Sequence, residues 1–193
     1  MPTLYIISGC NGAGKTTASY TILPEILDCR EYVNADAIAA GLSPFQPETV
    51  AFEAGRLMLD RIEYLIRQGV DFAIETTLST KSYVQTINKC RDLGYEIVLI
   101  YFWLPSTDLA IERIKERVER GGHHIPDDVV RRRYKRGLEN LHQLFIPLCD
   151  YWMVVDNSGN TPVQIAEGHE NIDIDVFNEE IWNIIKASYS YEK

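Results

Sequence analysis

Eight residues near the start of the chain, Gly9-Cys10-Asn11-Gly12-Ala13-Gly14-Lys15-Thr16, match the pattern GxxxxGK[ST] at every fixed position. The pattern constrains the fold because it works only between a buried strand and the first turn of a helix. Its glycines let the loop curl until consecutive backbone N–H groups converge on a phosphate, and the following helix adds the positive end of its dipole. The flanking sequence supplies both neighbours. Residues 3–8, Thr-Leu-Tyr-Ile-Ile-Ser, are a short apolar run expected of a strand covered on both faces, and a helix is predicted from near Gly14 towards Leu27. In this pattern Lys15 reaches the β- and γ-phosphates and the Thr16 hydroxyl ligates Mg²⁺. Gly9 through Thr16, with the adjoining Thr17, are therefore candidate nucleotide-binding residues.

Strands and helices alternate from there on. Short strands are predicted at Glu31–Asn34 and Val70–Glu75, separated by helical stretches at 35–41 and 48–68, with Pro44 and Pro47 between them. Apolar Val50, Ala54, Leu57, Met58, Ile62, Leu65 and Ile66 recur at helical spacing before Gly69 ends the pattern. A helix at 79–93 precedes the most β-like segment, Tyr95–Leu104, which reads as a central strand. Charged helices follow at about 106–120 and 127–145, then a strand at Tyr151–Asp156, an edge strand at Pro162–Ala166 and a helix at 176–188. Repeated units of this length imply a parallel sheet flanked by helices. The expected architecture is one three-layer α/β/α domain over residues 1–193 of the P-loop kinase type. Its mostly parallel five-stranded core takes the order 2-3-1-4-5, with an Arg-rich lid at about 120–133.

Composition excludes some partners. A formal net charge of -9 argues against nucleic acid, because phosphate neutralisation needs clustered Lys and Arg, yet it leaves room for a small phosphorylated ligand in a local positive pocket. Cys10, Cys29, Cys90 and Cys149 form no CxxC pair, so free thiols in a reduced cytoplasmic setting are expected. No run approaches the roughly 18 apolar residues of a membrane span. The residues before Cys10 lack the basic start and long apolar core of a signal peptide.

The reaction must be read from other residues. A guanine-specific NKxD signature is missing, since Asn88-Lys89-Cys90-Arg91 is followed by Asp92 one position late. Phe72-Ala73-Ile74-Glu75 ends in one acid rather than the acidic pair of a motor ATPase. In a doubly wound sheet, ligands bind beyond the carboxyl ends of the strands. Asp36, after the second strand, is therefore placed to take a proton from a substrate hydroxyl, or else merely caps the short helix that follows. Glu75 stands at the same edge, to bind a substrate hydroxyl or hold Mg²⁺ through water, or as a plain strand-end carboxylate.

Arg113, Arg117, Arg120, Gly-Gly-His-His-Ile-Pro and Arg131-Arg132-Arg133 suggest a lid supplying cations to a transferring phosphoryl group. The buried stripe Val130, Tyr134, Leu138, Leu141 and Phe145 leaves Arg132 opposite, with Arg131 and Arg133 as the better phosphate ligands. Pairing with Glu112, Glu116 and Glu119 on a solvated face is the plainer role for Arg113 and Arg117. His123 and His124 lack a third metal ligand at suitable spacing and belong to the lid turn. Asn157, in the turn after the fifth strand, is placed to line an adenine pocket.

Taken together, Gly9–Thr16, Val33-Asn34-Ala35-Asp36, Ile74-Glu75-Thr76-Thr77-Leu78-Ser79-Thr80, Arg120 through Arg133 and Asp156-Asn157-Ser158 resemble the zeta-toxin-like group of P-loop kinases. The resemblance implies ATP- and Mg²⁺-dependent phosphorylation of a small-molecule hydroxyl. In zeta toxins proper the substrate is a UDP-N-acetyl amino sugar, and a small antitoxin protein blocks the nucleotide site. By that likeness Lys15 and Thr16 hold nucleotide and metal, Asp36 is the base, Asn34, Glu75 and Thr77 serve the substrate, and Arg120, Arg131 and Arg133 serve the phosphates. A competing expectation is a regulatory module that hydrolyses ATP slowly and has no acceptor.

Overall fold

The computed structural model describes residues 1–170 and 173–188. Its sheet has the order β2-β3-β1-β4-β5-β6-β7. The strands are β1 (Thr3–Gly9), β2 (Tyr32–Val33), β3 (Phe72–Thr76), β4 (Glu96–Trp103), β5 (Tyr151–Asp156), β6 (Val163–His169) and β7 (Asp173–Val176). The first five are parallel and keep the expected order; β6 and β7 continue the sheet antiparallel. The segment expected at the edge is thus an interior strand, because Asp173-Ile174-Asp175-Val176, with its period of two, pairs along its outer side.

Helices cover both faces: α1 (Lys15–Thr21), α2 (Ala35–Leu42), α3 (Ala51–Gln68), α4 (Tyr83–Asp92), α5 (Thr107–Glu119), α6 (Asp127–Asn140) and α7 (Glu179–Ala187). On α3 the stripe Ala54, Met58, Ile62, Leu65 and Ile66 is buried, whereas Leu57, expected with it, is exposed at its rim. Two predicted helices end earlier than their apolar pattern. The helix expected to reach Leu27 passes into a wide π turn at Ile22–Ile26, and that expected to reach Phe145 into one at Leu141–Phe145. Pro24 and Pro147 explain both, since neither can donate its missing N–H and each ring crowds the carbonyl four residues back.

Alternation along the strands splits the core in two. Leu4, Ile6, Ile74, Leu99 and Tyr101 face one layer, under α3, α4 and α7. Ile7, Ala73, Ile100 and Phe102 face the other, with Leu23, Ile111 and Ile114. Strand ends carrying Gly9, Val33 and Thr76 all meet one edge of this frame, and the candidate residues hang from that edge.

Candidate active site

The phosphate loop is held open by packing from behind. Gly12 has φ 80° and lies so close to α5 that a Cβ there would stand 2.6 Å from the Ala110 carbonyl oxygen. Asn157 Nδ2 donates to the Ala13 carbonyl at 2.7 Å, and Arg113 donates through its two terminal nitrogens to the Asn157 and Ser158 carbonyls, each at 2.8 Å. Arg113 is therefore no solvated surface partner of Glu112 or Glu116. It is half-buried and braces the loop through the turn after β5. The Asn157 side chain is likewise committed to the loop backbone. Cys10 contributes backbone alone: its carbonyl accepts from Lys15 Nζ at 3.0 Å, and burial pushes its thiol up to about 11.

Glu75, at the end of β3, gathers the next layer. Its Oε2 accepts from the Thr16 hydroxyl at 2.8 Å, from Asn34 Nδ2 at 2.9 Å and from the Tyr32 hydroxyl. Its Oε1 stands 3.7 Å from Lys15 Nζ, and both side chains are about nine-tenths buried. A buried lysine needs such a partner, because desolvation of an unpaired ammonium is costly. Thr16, which lines the larger cavity, donates its proton to Glu75 and so keeps its lone pairs for a cation. That oxygen and a nearby carboxylate form the hard donor set that suits Mg²⁺, which takes one or two carboxylates beside substrate phosphates.

The helix-cap role that was the alternative for Asp36 falls to its neighbour. The cap of α2 is Asn34, whose Oδ1 accepts from the Asp36 and Ala37 amides at 2.8 and 3.2 Å. Its Nδ2 is shared between Glu75 and the Tyr32 hydroxyl, so both polar groups of a side chain expected to contact substrate are held by protein partners. The Asp36 side chain is exposed, makes no hydrogen bond or ion pair with any described residue, and lines both cavities at this edge.

Those cavities meet at Asn11, Lys15, Asn34, Asp36 and Glu75. The larger, about 640 Å³, runs along Gly12, Gly14, Thr16 and Thr17 to Arg113, Arg117, Arg120 and the Gly121-Gly122 turn. The smaller, about 390 Å³, is walled by Thr76, Thr77, Ser79, Thr80 and Tyr83 on one side and Arg132, Arg133 and Arg136 on the other. Gly137 lets α6 approach this wall, since a Cβ there would lie 2.6 Å from the Thr77 carbonyl oxygen. Asn140 Nδ2 then ties α6 to the Leu78 carbonyl at 2.6 Å. Thr77 shares a hydrogen bond with Ser79 at 2.8 Å, and Arg133 reaches Asn11 Oδ1 at 3.3 Å.

The arginine assignments change accordingly. Arg131 bonds Thr107 and Asp108 at the start of α5, both at 2.8 Å, and faces an outer groove away from the phosphate loop. Helical phase gives the reason: at about 100° per residue, Arg132, Arg133 and Arg136 share one arc of α6 while Arg131 lies on the opposite flank. That i, i+3, i+4 spacing was the signal for Arg132 and Arg136. Tyr32 carried no comparable signal, since an aromatic residue entering a strand reads as β-propensity. Within the expected lid, Ile125 and Val130 are buried in the core, whereas the turn at residues 120–124 is exposed or half-buried. There Arg117 donates to the His123 carbonyl at 2.8 Å, and His123 faces Glu48 at 3.5 Å. Among the described residues no cluster of His, Cys, Asp and Glu is placed to hold a metal alone, and no helix is long and apolar enough to cross a membrane.

A phosphate loop opening a parallel sheet, with two cavities joined at a lysine and a carboxylate, is the arrangement of a P-loop kinase-type fold. The family model described as Zeta toxin matches residues 1–163, and the chain belongs to that family. It is 31% identical over 126 residues to an uncharacterized protein of Haemophilus influenzae, a match covering 65% of this chain and 88% of that one. Among solved structures, the AvrRxo1-ORF1:-ORF2 structure with ATP superposes with a TM-score of 0.78 at 17% identity, covering 100% of this chain and 66% of the other. The PezAT toxin-antitoxin system of Streptococcus pneumoniae gives 0.64 at 14% identity, covering 97% and 86%. At these identities the structural likenesses speak for the fold.

Proposed function

We propose that the protein transfers the γ-phosphoryl group of ATP to a hydroxyl of a small molecule, with Asp36 as the general base. The observation that carries this reading is the free Asp36 carboxylate at the junction of the two cavities, one lined by the phosphate loop and the other by hydroxyls and arginines. In the proposed reaction Asp36 takes the proton of the acceptor hydroxyl as its oxygen attacks the γ-phosphorus and the bond to the β-phosphate oxygen breaks. Lys15, Arg120 and Arg133 stabilise the charge that develops on the transferring group and the leaving ADP. Bound Mg²⁺, held by Thr16 and through water by Glu75, would neutralise phosphate charge.

The acceptor occupies the smaller cavity, where Thr77 offers a hydrogen bond and Arg132 and Arg136 favour negative charge. A UDP-N-acetyl amino sugar, the substrate class implied by the zeta-toxin likeness, meets both conditions through its diphosphate. The proposal extends to an antitoxin-like protein partner, supported by the toxin–antitoxin system among the structural neighbours. The test is incubation with γ-labelled ATP, Mg²⁺ and a deproteinised metabolite extract, followed by separation of labelled products. Label on a small molecule is the expected result. Release of label solely as inorganic phosphate would instead identify a regulatory ATPase and overturn the kinase reading.

A further inference from the structure

The carboxylate of Glu75 does not choose its own orientation. Three donors from three different elements converge on one of its oxygens: Thr16 at the start of α1, Tyr32 at the start of β2, and Asn34 just past it. The register explains the convergence. Tyr32 pairs beside Ala73 and Val33 beside Ile74, so Tyr32, Asn34, Ala73 and Glu75 fall on the same face of two parallel strands. Asn34 also donates to the Tyr32 hydroxyl at 3.2 Å, which fixes the phenol oxygen as an acceptor on one side and a donor to Glu75 on the other. The Tyr32 ring is itself held, edge-on against Tyr20 with centroids 6.2 Å apart.

Three carbon–carbon torsions stand between the Glu75 backbone and the carboxylate plane, so without these bonds the group would sample several rotamers. We propose that Tyr32, with Asn34, is a positioning residue that aims Glu75 at Thr16 and thereby sets the coupling between Mg²⁺ and nucleotide binding. The inference rests on the nucleotide-site reading above and deepens it: the phenol touches neither substrate nor metal and acts through the carboxylate. Outer partners of metal-binding groups typically change metal affinity by about 10- to 100-fold when removed.

The test is equilibrium binding of a fluorescent ATP analogue, measured with Mg²⁺ and with EDTA, for the wild type, Tyr32→Phe and Asn34→Ser. Phenylalanine keeps the ring packing, and serine keeps a neutral helix cap while removing the amide donor. Wild-type protein is expected to bind more tightly with Mg²⁺. Both variants should lose about tenfold of that Mg²⁺ enhancement, with affinity in EDTA changed less than about twofold. Retention of the full enhancement by both variants overturns the proposal, and so does an equal weakening with and without Mg²⁺, which marks a merely structural role. A wild type that binds no nucleotide in either condition instead contradicts the underlying nucleotide-site reading.

Discussion

The two sides of the cleft are built differently. On the phosphate-loop side, Lys15, Thr16, Asn34 and Glu75 are buried or half-buried, and each has its partners: a carbonyl, a carboxylate, a helix cap or a phenol. On the other side Asp36, Arg120, Arg132 and Arg136 are exposed around the cavities, and the described residues contribute no hydrogen bond to their side chains. The first side is preorganised, so it binds phosphate with little reorganisation. The second carries charge still to be neutralised, which a bound acceptor and the transferring phosphoryl group would supply. The contrast implies that losses on the first side show in nucleotide binding, and losses on the second show in turnover or acceptor recognition.

Substitutions that separate the two effects sharpen or break this contrast. Lys15→Ala has the largest expected effect, because it removes the phosphate cation and leaves Glu75 buried without its counter-charge. Nucleotide affinity should fall more than about 100-fold, measured by titration of a fluorescent ATP analogue, and label transfer should vanish. Asp36→Asn should lower transfer about 1,000-fold while nucleotide affinity stays within about twofold, measured by single-turnover label transfer beside the same titration. Arg113→Ala removes two charge-assisted bonds to the turn that holds Ala13 and should cost about 2 kcal/mol. A melting temperature lower by roughly 5 °C, with about tenfold weaker nucleotide binding, is the result expected from thermal melts and titration. Arg132→Ala and Arg136→Ala, on exposed side chains, should each raise the acceptor concentration for half-maximal transfer about fivefold and leave melting temperature and ATP affinity unchanged. If either lowered ATP affinity instead, the division between the two cavities would be wrong.

How much of this was legible depended on how local each signal was. The phosphate loop and the order of the parallel core follow from short, strongly patterned segments, because the glycines, lysine and flanking apolar strand carry their reasons within a dozen residues. The boundaries of α1 and α6 slipped where Pro24 and Pro147 convert the last turns into wider ones, an effect the apolar spacing hides. β7 was missed because Asp173-Ile174-Asp175-Val176 has to be paired before it reads as a strand. At the site, the place of Asp36 after β2 marks it as a candidate base, and the helix cap that was its alternative role belongs to Asn34. Arg113 looked like a surface residue since its partners lie 44 and 45 positions away. Arg131 and Arg132 exchanged places because the buried stripe fixes which residues face inward and says nothing about which flank borders the cleft. Tyr32 was out of reach for the same reason: its partner is 43 residues distant and on another strand.

In the proposed reaction Asp36 activates an acceptor hydroxyl beside an independently formed nucleotide site. The most direct measurement follows γ-labelled ATP in a single turnover with metabolite extract, comparing wild-type protein with Asp36→Asn at saturating nucleotide. Label on a small molecule is expected with the wild type, and about 1,000-fold slower transfer by a variant that binds ATP as tightly. Equal rates of transfer from both proteins would contradict it.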